Sequence, residues 1–376
     1  MRAAFDDLPT PCYVVDEAKI VQNLELLADV ARKSNCKILL AQKAFSMYSL
    51  YPLLGEYLSG TAASGLYEAR LGREEFGKEC HVFSPAYREE EFDEILSLSD
   101  HVIFNSFSQW RRFGKRALEK GVSCGMRVNP ECSTQSHAIY DPCAPGSRLG
   151  ATRGNFFEKE LPGLDGLHFH TLCEQNADAL VATLRAFEEK FGRFLPSMRW
   201  LNLGGGHHIT RADYDVETLA KELCRLRETY GVEVYLEPGE AVALNAGVLV
   251  STVLETLRNG IDIAILDASA ACHMPDVLEM PYRPEVVGAA LPGVKPHTFR
   301  LTGPTCLAGD VVGDYSFDHR LVPGERLIFC DMAHYTMVKN NTFNGMPLPS
   351  IAVHGRDGST RIVRSFDYTD FKRRLS

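Results

Sequence analysis

Eight short runs of β-forming residues recur through the first two thirds of the chain, and most are followed by a stretch with helical spacing. The runs cover 37–43, 61–64, 81–85, 101–106, 124–130, 166–172, 200–206 and 232–239. The clearest helical stretches are 65–77, 107–121, 174–191 and 216–230; within 174–191, Leu180, Leu184, Phe187 and Phe191 share one face. A further helix is expected over 17–34, on Ile20, Leu24, Leu27 and Ala31. Strand–helix alternation means an α/β fold with a parallel sheet. Strand count alone does not show closure, so a doubly wound open sheet competes. The count of eight favours a (β/α)8, TIM-like barrel.

After about Gly247 the rhythm changes. GVLVSTVLETL, DIAILDAS, HTFRLTG, ERLIFCDMA, SIAVHG and RIVRSF are rich in β-branched residues and separated by Pro, Gly and Asp turns. An all-β sandwich or barrel domain is expected over 247–376, joined by the strand-like N-terminal residues 1–16, with the barrel over 17–246. The stretch 131–165 has Pro, Gly and Ser but little periodicity, and so long a loop in a barrel often serves the active site.

Formal charge is −9, which disfavours general binding to nucleic acid or anionic membrane. The N-terminus has acidic residues where a signal peptide needs an apolar core, and the longest apolar stretch falls short of a membrane span. The 11 cysteines have no metal-type spacing and read as reduced thiols in a cytoplasmic protein.

Strand C-termini face the active site of a barrel. Those ends carry Lys43, Arg127, His168, His170, the Gly204, Gly205, Gly206 run and Glu237. A lysine in a low-dielectric mouth suits Schiff-base chemistry, although position alone describes an ordinary solvated lysine as well or better. Three successive glycines can turn backbone N–H groups toward a phosphate, or simply make a flexible turn. Glu237 can hold a pyridinium N–H, or pair with Arg127. His168 and His170, in HFH, are expected on one strand face, as a metal pair or with one ring flat on a planar cofactor. His207 and His208 could add ligands, but no acid is well placed with them, so no metal is expected. In the β-rich part, Cys306 could act as an acid or be structural, and Tyr335 could reach a phosphate or fill a core.

LAQKAFS, GMRVNPE, YDPCAPGSRLG, HFHTLCE, LNLGGGHH, EPGEA and GPTCLAGD, in this order and spacing, resemble the fold type III (alanine racemase-like) pyridoxal-phosphate (PLP) enzymes over nearly the whole chain. They look most like the decarboxylase branch that acts on carboxynorspermidine and carboxyspermidine. The resemblance implies that Lys43 bonds covalently to PLP, that His170 stacks on its ring and that Glu237 binds the ring nitrogen. It implies that Gly204, Gly205, Gly206 and Tyr335 cradle the phosphate, that Arg127 supports the ring region and that Cys306 comes from a partner subunit as proton donor. A homodimer with shared active sites is therefore expected.

Ornithine and diaminopimelate decarboxylases carry EPGR where this chain has Glu240, and an acid after the cysteine where it has Leu307. Both departures point to a polyamine substrate, whose distal amines need carboxylates. Glu240, Asp276, Glu279, Asp310 and Asp314 are the candidates, Asp310 having the best position; Arg148 is a further residue that could reach the site. The competing readings are another fold type III decarboxylase (diaminopimelate, ornithine or arginine) or racemase, a non-enzymatic PLP carrier, and a metal-dependent barrel hydrolase.

Overall fold

The computed structural model describes residues 5–135 and 137–376, so residues 1–4 of the expected N-terminal strand segment and Ser136 of the long loop lie outside it. Two compact units emerge: Gln22–Val242, and the residues up to Val21 together with Ala243–Ser376.

The first unit is a closed parallel barrel of β2 (Lys37–Ala41), β3 (Gly60–Ala63), β4 (Glu79–Phe83), β5 (His101–Phe104), β6 (Ser123–Arg127), β7 (Gly166–His168), β8 (Trp200–Asn202) and β9 (Glu233–Leu236). Closure is the β2–β9 pairing, Lys37 opposite Tyr235 and Ile38 opposite Leu236. The open-sheet alternative is thereby excluded. Leu39, Ile103, Trp200 and Tyr235 fill the interior. Gly166 is required there, since a Cβ would stand 2.0 Å from the Trp200 ring.

Amphipathic helices close the outside. Ala177–Phe191 starts where Asn176 accepts the Ala177 N–H, and it buries Leu180, Leu184, Phe187 and Phe191. Each such side chain stabilises the fold by roughly 2 kcal/mol. Val216–Tyr230 is capped by Asp215 and ends at left-handed Gly231. Glu17–Ser34 forms as expected, but its buried stripe runs through Val30 rather than Ala31, which is only half-buried.

The second unit holds an eight-stranded mixed sheet containing β1 (Cys12–Asp16), β10 (Gly247–Asn259), β11 (Ile261–Leu266), β12 (His297–Thr302), β13 (Val311–Phe317), β14 (Arg326–Cys330), β15 (Ser350–His354) and β16 (Thr360–Arg364). Its order is β13-β12-β11-β10-β1-β15-β16, with β14 also on β10. Tyr13, Leu249, Phe299, Tyr315 and Phe329 anchor its core. The unit is not wholly β: it also holds the short helices Ala270–His273, Asp276–Glu279, Thr336–Lys339 and Tyr368–Arg373.

Candidate active site

The strand-end residues of the barrel gather at one face. β2 stops at Ala41, so Lys43 stands on the turn just past the strand rather than inside the expected 37–43 run. The side chain is reached by solvent yet encircled by protein, because it projects within a concave barrel mouth. Crowding by these walls, and then the charge of Arg127, push its pKa below the usual lysine value; Glu237 and Glu68 oppose. A larger share of neutral amine follows, which is what a carbonyl-capturing lysine needs.

Arg127 is buried at the end of β6. Burial lowers it to about 10, against the pull of Glu237. Its guanidinium donates to the His170 carbonyl at 3.0 Å and lies 4.6 Å from the Phe83 ring centroid. Arg148, on the long loop, is close enough for its charge to depress Arg127 further. That loop is pinned by Asn129 N–H to Ala151 O at 2.8 Å and Ala151 N–H to Arg127 O at 2.9 Å.

Glu237 follows β9 and is buried. One oxygen accepts from Asn202 Nδ2 at 2.6 Å, and the other lies 3.8 Å from His168 Nε2. Asn202 Oδ1 in turn accepts the Gly204 N–H at 2.8 Å. Gly204 and Gly206 take left-handed φ values of 68° and 81°, and a Cβ on Gly206 would meet the Leu172 carbonyl at 1.9 Å. The glycine run is thus a packed turn and not a loose one. The Gly205 N–H donates to His170 Nδ1 at 3.1 Å, so of the three N–H groups only that of Gly206 stays uncommitted among the described residues.

β7 ends at His168, which places His170 beyond the strand instead of on a shared strand face. One atom each of His168, His170 and Glu237 still fall within 4.8 Å of one another, a spacing that could hold a metal ion. Burial holds both imidazoles neutral, and the charges of Lys43 and Arg127 reinforce this. Two neighbouring cations disfavour a third positive charge and favour an anionic ligand. His207 and His208 lie nearby in sequence and are buried. Contrary to expectation an acid does accompany them, Glu240 standing 3.7 Å from His208 Nε2.

The remaining candidates belong to the second unit. Cys306 is exposed, with its N–H held by Asn344 Oδ1 at 2.7 Å. Asp310 is buried and engaged: it accepts from Ser269 Oγ at 2.9 Å, Thr305 Oγ1 at 2.7 Å and the Ala271 N–H at 3.2 Å. It is therefore the hub that shapes the Cys306 loop, already engaged where the sequence offered it as the best-placed acid for a substrate amine. Asp276 and Glu279 both bind the Lys339 ammonium, and Asp314 pairs with Arg300 at 2.8 Å. Tyr335 adopts φ 49°, rare for an aromatic residue, and starts the Thr336–Lys339 helix.

Sequence reading passed over Asn202, Glu68 and Lys339. A polar residue inside the otherwise apolar WLNL run was the available signal for Asn202. Glu68 and Lys339 carried none, since their roles depend on distant partners.

The family model described as "Pyridoxal-dependent decarboxylase, C-terminal sheet domain" matches residues 12–333. The chain belongs to the pyridoxal-dependent decarboxylase family. Within it, the chain is 44% identical to the carboxynorspermidine/carboxyspermidine decarboxylase of Campylobacter jejuni, covering 98% of this chain and 99% of that one. It is 42% identical to the carboxyaminopropylagmatine decarboxylase of a Synechocystis strain, over 98% and 96%. The crystal structure of carboxynorspermidine decarboxylase complexed with norspermidine from Campylobacter jejuni superposes with a TM-score of 0.91 at 43% identity, covering 98% and 100%. As a family member the chain is a PLP-dependent carboxy-lyase. The barrel mouth fits that cofactor: a pKa-lowered lysine, a turn that a Cβ would fill, a buried carboxylate held by an amide, and a His168 ring whose nitrogens have no hydrogen-bond partner.

Proposed function

We propose that the chain decarboxylates carboxynorspermidine, carboxyspermidine or both, giving norspermidine or spermidine. The near-full-length 44% identity to the Campylobacter jejuni enzyme carries this reading. The bond from Cα to the carboxylate breaks, CO2 leaves and a proton takes its place on Cα. PLP, when bound, supplies the electron sink for the pair that CO2 leaves behind. Lys43 would hold the cofactor covalently. Glu237, fixed by Asn202, would hold the ring nitrogen, and His170 would hold the ring. Arg127 holds His170 through its carbonyl. The Gly204, Gly205, Gly206 turn and Tyr335 would receive the phosphate, the Gly206 N–H being the free backbone donor. Cys306 returns the proton to Cα.

Glu240, Asp276 and Glu279 are assigned to the substrate's distal amines, and Asp310 to shaping the loop that carries Cys306. An exposed Cys306 fits a homodimer in which the thiol completes a neighbour's site. Eleven free thiols fit a cytoplasmic location, and no helix among the described residues is long and apolar enough to cross a membrane.

The 42% identity to the Synechocystis enzyme supports a second reading, carboxyaminopropylagmatine as substrate. Amine formation from carboxynorspermidine, carboxyspermidine, carboxyaminopropylagmatine, diaminopimelate, ornithine and arginine separates the two. The first reading expects norspermidine or spermidine. Turnover of the agmatine derivative alone would select the second, and turnover of a simple amino acid would overturn both.

A further inference from the structure

The decarboxylase chemistry leaves one charged cluster of the barrel unused. Side chains near the starts of β2, β4, β5 and β9 bring Lys37, Glu79, His81, His101, Glu233 and Tyr235 together, at the end of the strands opposite Lys43 and Glu237. Active-site chemistry occupies the C-terminal face of such barrels, so this floor is free for another task.

Its geometry is specific. Glu79 receives the Lys37 ammonium on one oxygen at 2.6 Å, and its second oxygen is 3.3 Å from His81 Nε2. Lys37 also bridges to Glu233 at 3.0 Å. The His81 and His101 rings stack with centroids 3.9 Å apart and planes 15° apart. His81 is 1% exposed, and the Nδ1 atoms of both rings are buried without a hydrogen-bond partner. One ligand atom from each of Glu79, His81 and His101 falls within 4.8 Å of the others. A cavity of about 740 Å³ reaches the cluster, lined by Lys37, Glu79, His101, Glu233 and Tyr235 among others.

We propose that Glu79, His81 and His101 form a binding site for a divalent transition-metal ion on the floor of the barrel. Two imidazoles and one carboxylate suit zinc, cobalt or nickel and are poor for calcium or magnesium, which prefer all-oxygen sets. Lys37 and Glu233 fix the carboxylate from outside, the part that outer-shell partners play at metal centres. The cavity gives an approach from solvent and room for water ligands. Buried ring nitrogens with no partner need an explanation, and an ion shared by the two rings provides one. Such an ion would tie β4 to β5 and act on stability, not turnover.

The test loads the PLP-bound enzyme with zinc alone, and with cobalt alone, in wild type, His101→Gln and Glu79→Gln. One tight equivalent is expected in wild type, with a raised melting temperature. Each variant should bind at least tenfold more weakly with decarboxylation unchanged. X-ray absorption of the zinc-loaded wild type should show two imidazoles and oxygen, a readout that needs no variant to fold. Sulfur ligation, absence of a tight equivalent, or unchanged affinity in folded His101→Gln would each overturn the proposal.

Discussion

Asn202 joins the acid and the phosphate-turn candidates of the barrel mouth in one contact pair: its Nδ2 donates to Glu237 at 2.6 Å while its Oδ1 accepts the Gly204 N–H at 2.8 Å. One amide therefore sets both the carboxylate and the first glycine of the turn. Replacing it with leucine leaves a buried carboxylate oxygen and a buried N–H without their partner, at a cost of about 1–3 kcal/mol each. Asn202→Leu is expected to weaken PLP retention and to lower kcat at least tenfold. Glu237→Gln should keep PLP better but lose more of kcat, because it removes the charge that holds the ring nitrogen protonated. Cofactor absorbance and steady-state rates on both variants check this, and equal PLP retention in wild type and Asn202→Leu would count against it.

Gly206→Ala is expected to be far worse than Gly231→Ala. Both positions are left-handed, at 81° and 69°, so both strain an alanine by about 1–2 kcal/mol. Only Gly206 adds a collision, with a Cβ 1.9 Å from the Leu172 carbonyl, whereas nothing lies within 4 Å of a Cβ on Gly231. Thermal melts should show a small drop for Gly231→Ala, and a large one with loss of PLP binding for Gly206→Ala.

The barrel was legible because parallel strands buried on both faces read as apolar runs, and because their ends share one face whatever the loops do. Lys43, Arg127, His168, His170 and Glu237 were picked out as candidates that way. β13 was not, since Gly313 and Asp314 interrupt VVGDYSF; the Leu301/Thr302 bulge opposite absorbs that break, and no single-strand pattern reveals it. Helix Glu89–Leu98 was missed because three acids fill its first turn and hide its apolar face. Asp310 was picked as the best-placed candidate for a substrate amine because its engagement by Ser269, some forty residues away, leaves no trace in the local sequence. Asp276 and Glu279 looked free for the same reason: Lys339 lies 60 or more positions along the chain.

Asp310→Ala removes the acceptor for two hydroxyls and two backbone N–H groups inside the second unit. A loss of about 3 kcal/mol is expected. Since Asp310 shapes the loop carrying Cys306, its effect on kcat should resemble that of Cys306→Ala, while Cys306→Ala should leave the melting temperature almost unchanged because the thiol is exposed. Melting curves and rates on the two variants separate shaping from chemistry; a stable Asp310→Ala would remove the hub assignment.

Lys43→Ala should abolish turnover. The lowered pKa of Lys43 adds a pH signature. Covalent PLP capture by the apoprotein needs the neutral amine, so its rate should climb with pH and level off below 10.5, the ordinary lysine value. Stopped-flow absorbance across that range reads the midpoint directly. A midpoint at or above 10.5 would show that crowding by the barrel walls and Arg127 does not act on the amine.

The last expectation concerns acid. His273 is fully buried; its Nδ1 accepts the Ser269 N–H at 3.1 Å, which leaves Nε2 to donate to Pro347 O at 3.0 Å. Protonation would place a hydrogen on Nδ1 and break the Ser269 contact. Burial accordingly lowers His273 from 6.5 to about 4, against Pro347 and Asp310, which favour the charged form. Between these values the unfolded chain takes up a proton that the folded chain refuses. Stability must then rise with pH across the window, and fall as pH drops from about 6.5 to about 4. This group alone contributes about 3 kcal/mol to that loss. His170 adds to it by the same geometry, since its Nδ1 accepts the Gly205 N–H and burial drives its pKa down. Denaturant melts from pH 7 to pH 4.5 should show the decline, and His273→Gln should make it shallower while lowering stability at pH 7. An undiminished slope in that variant would mean that other groups carry the acid sensitivity.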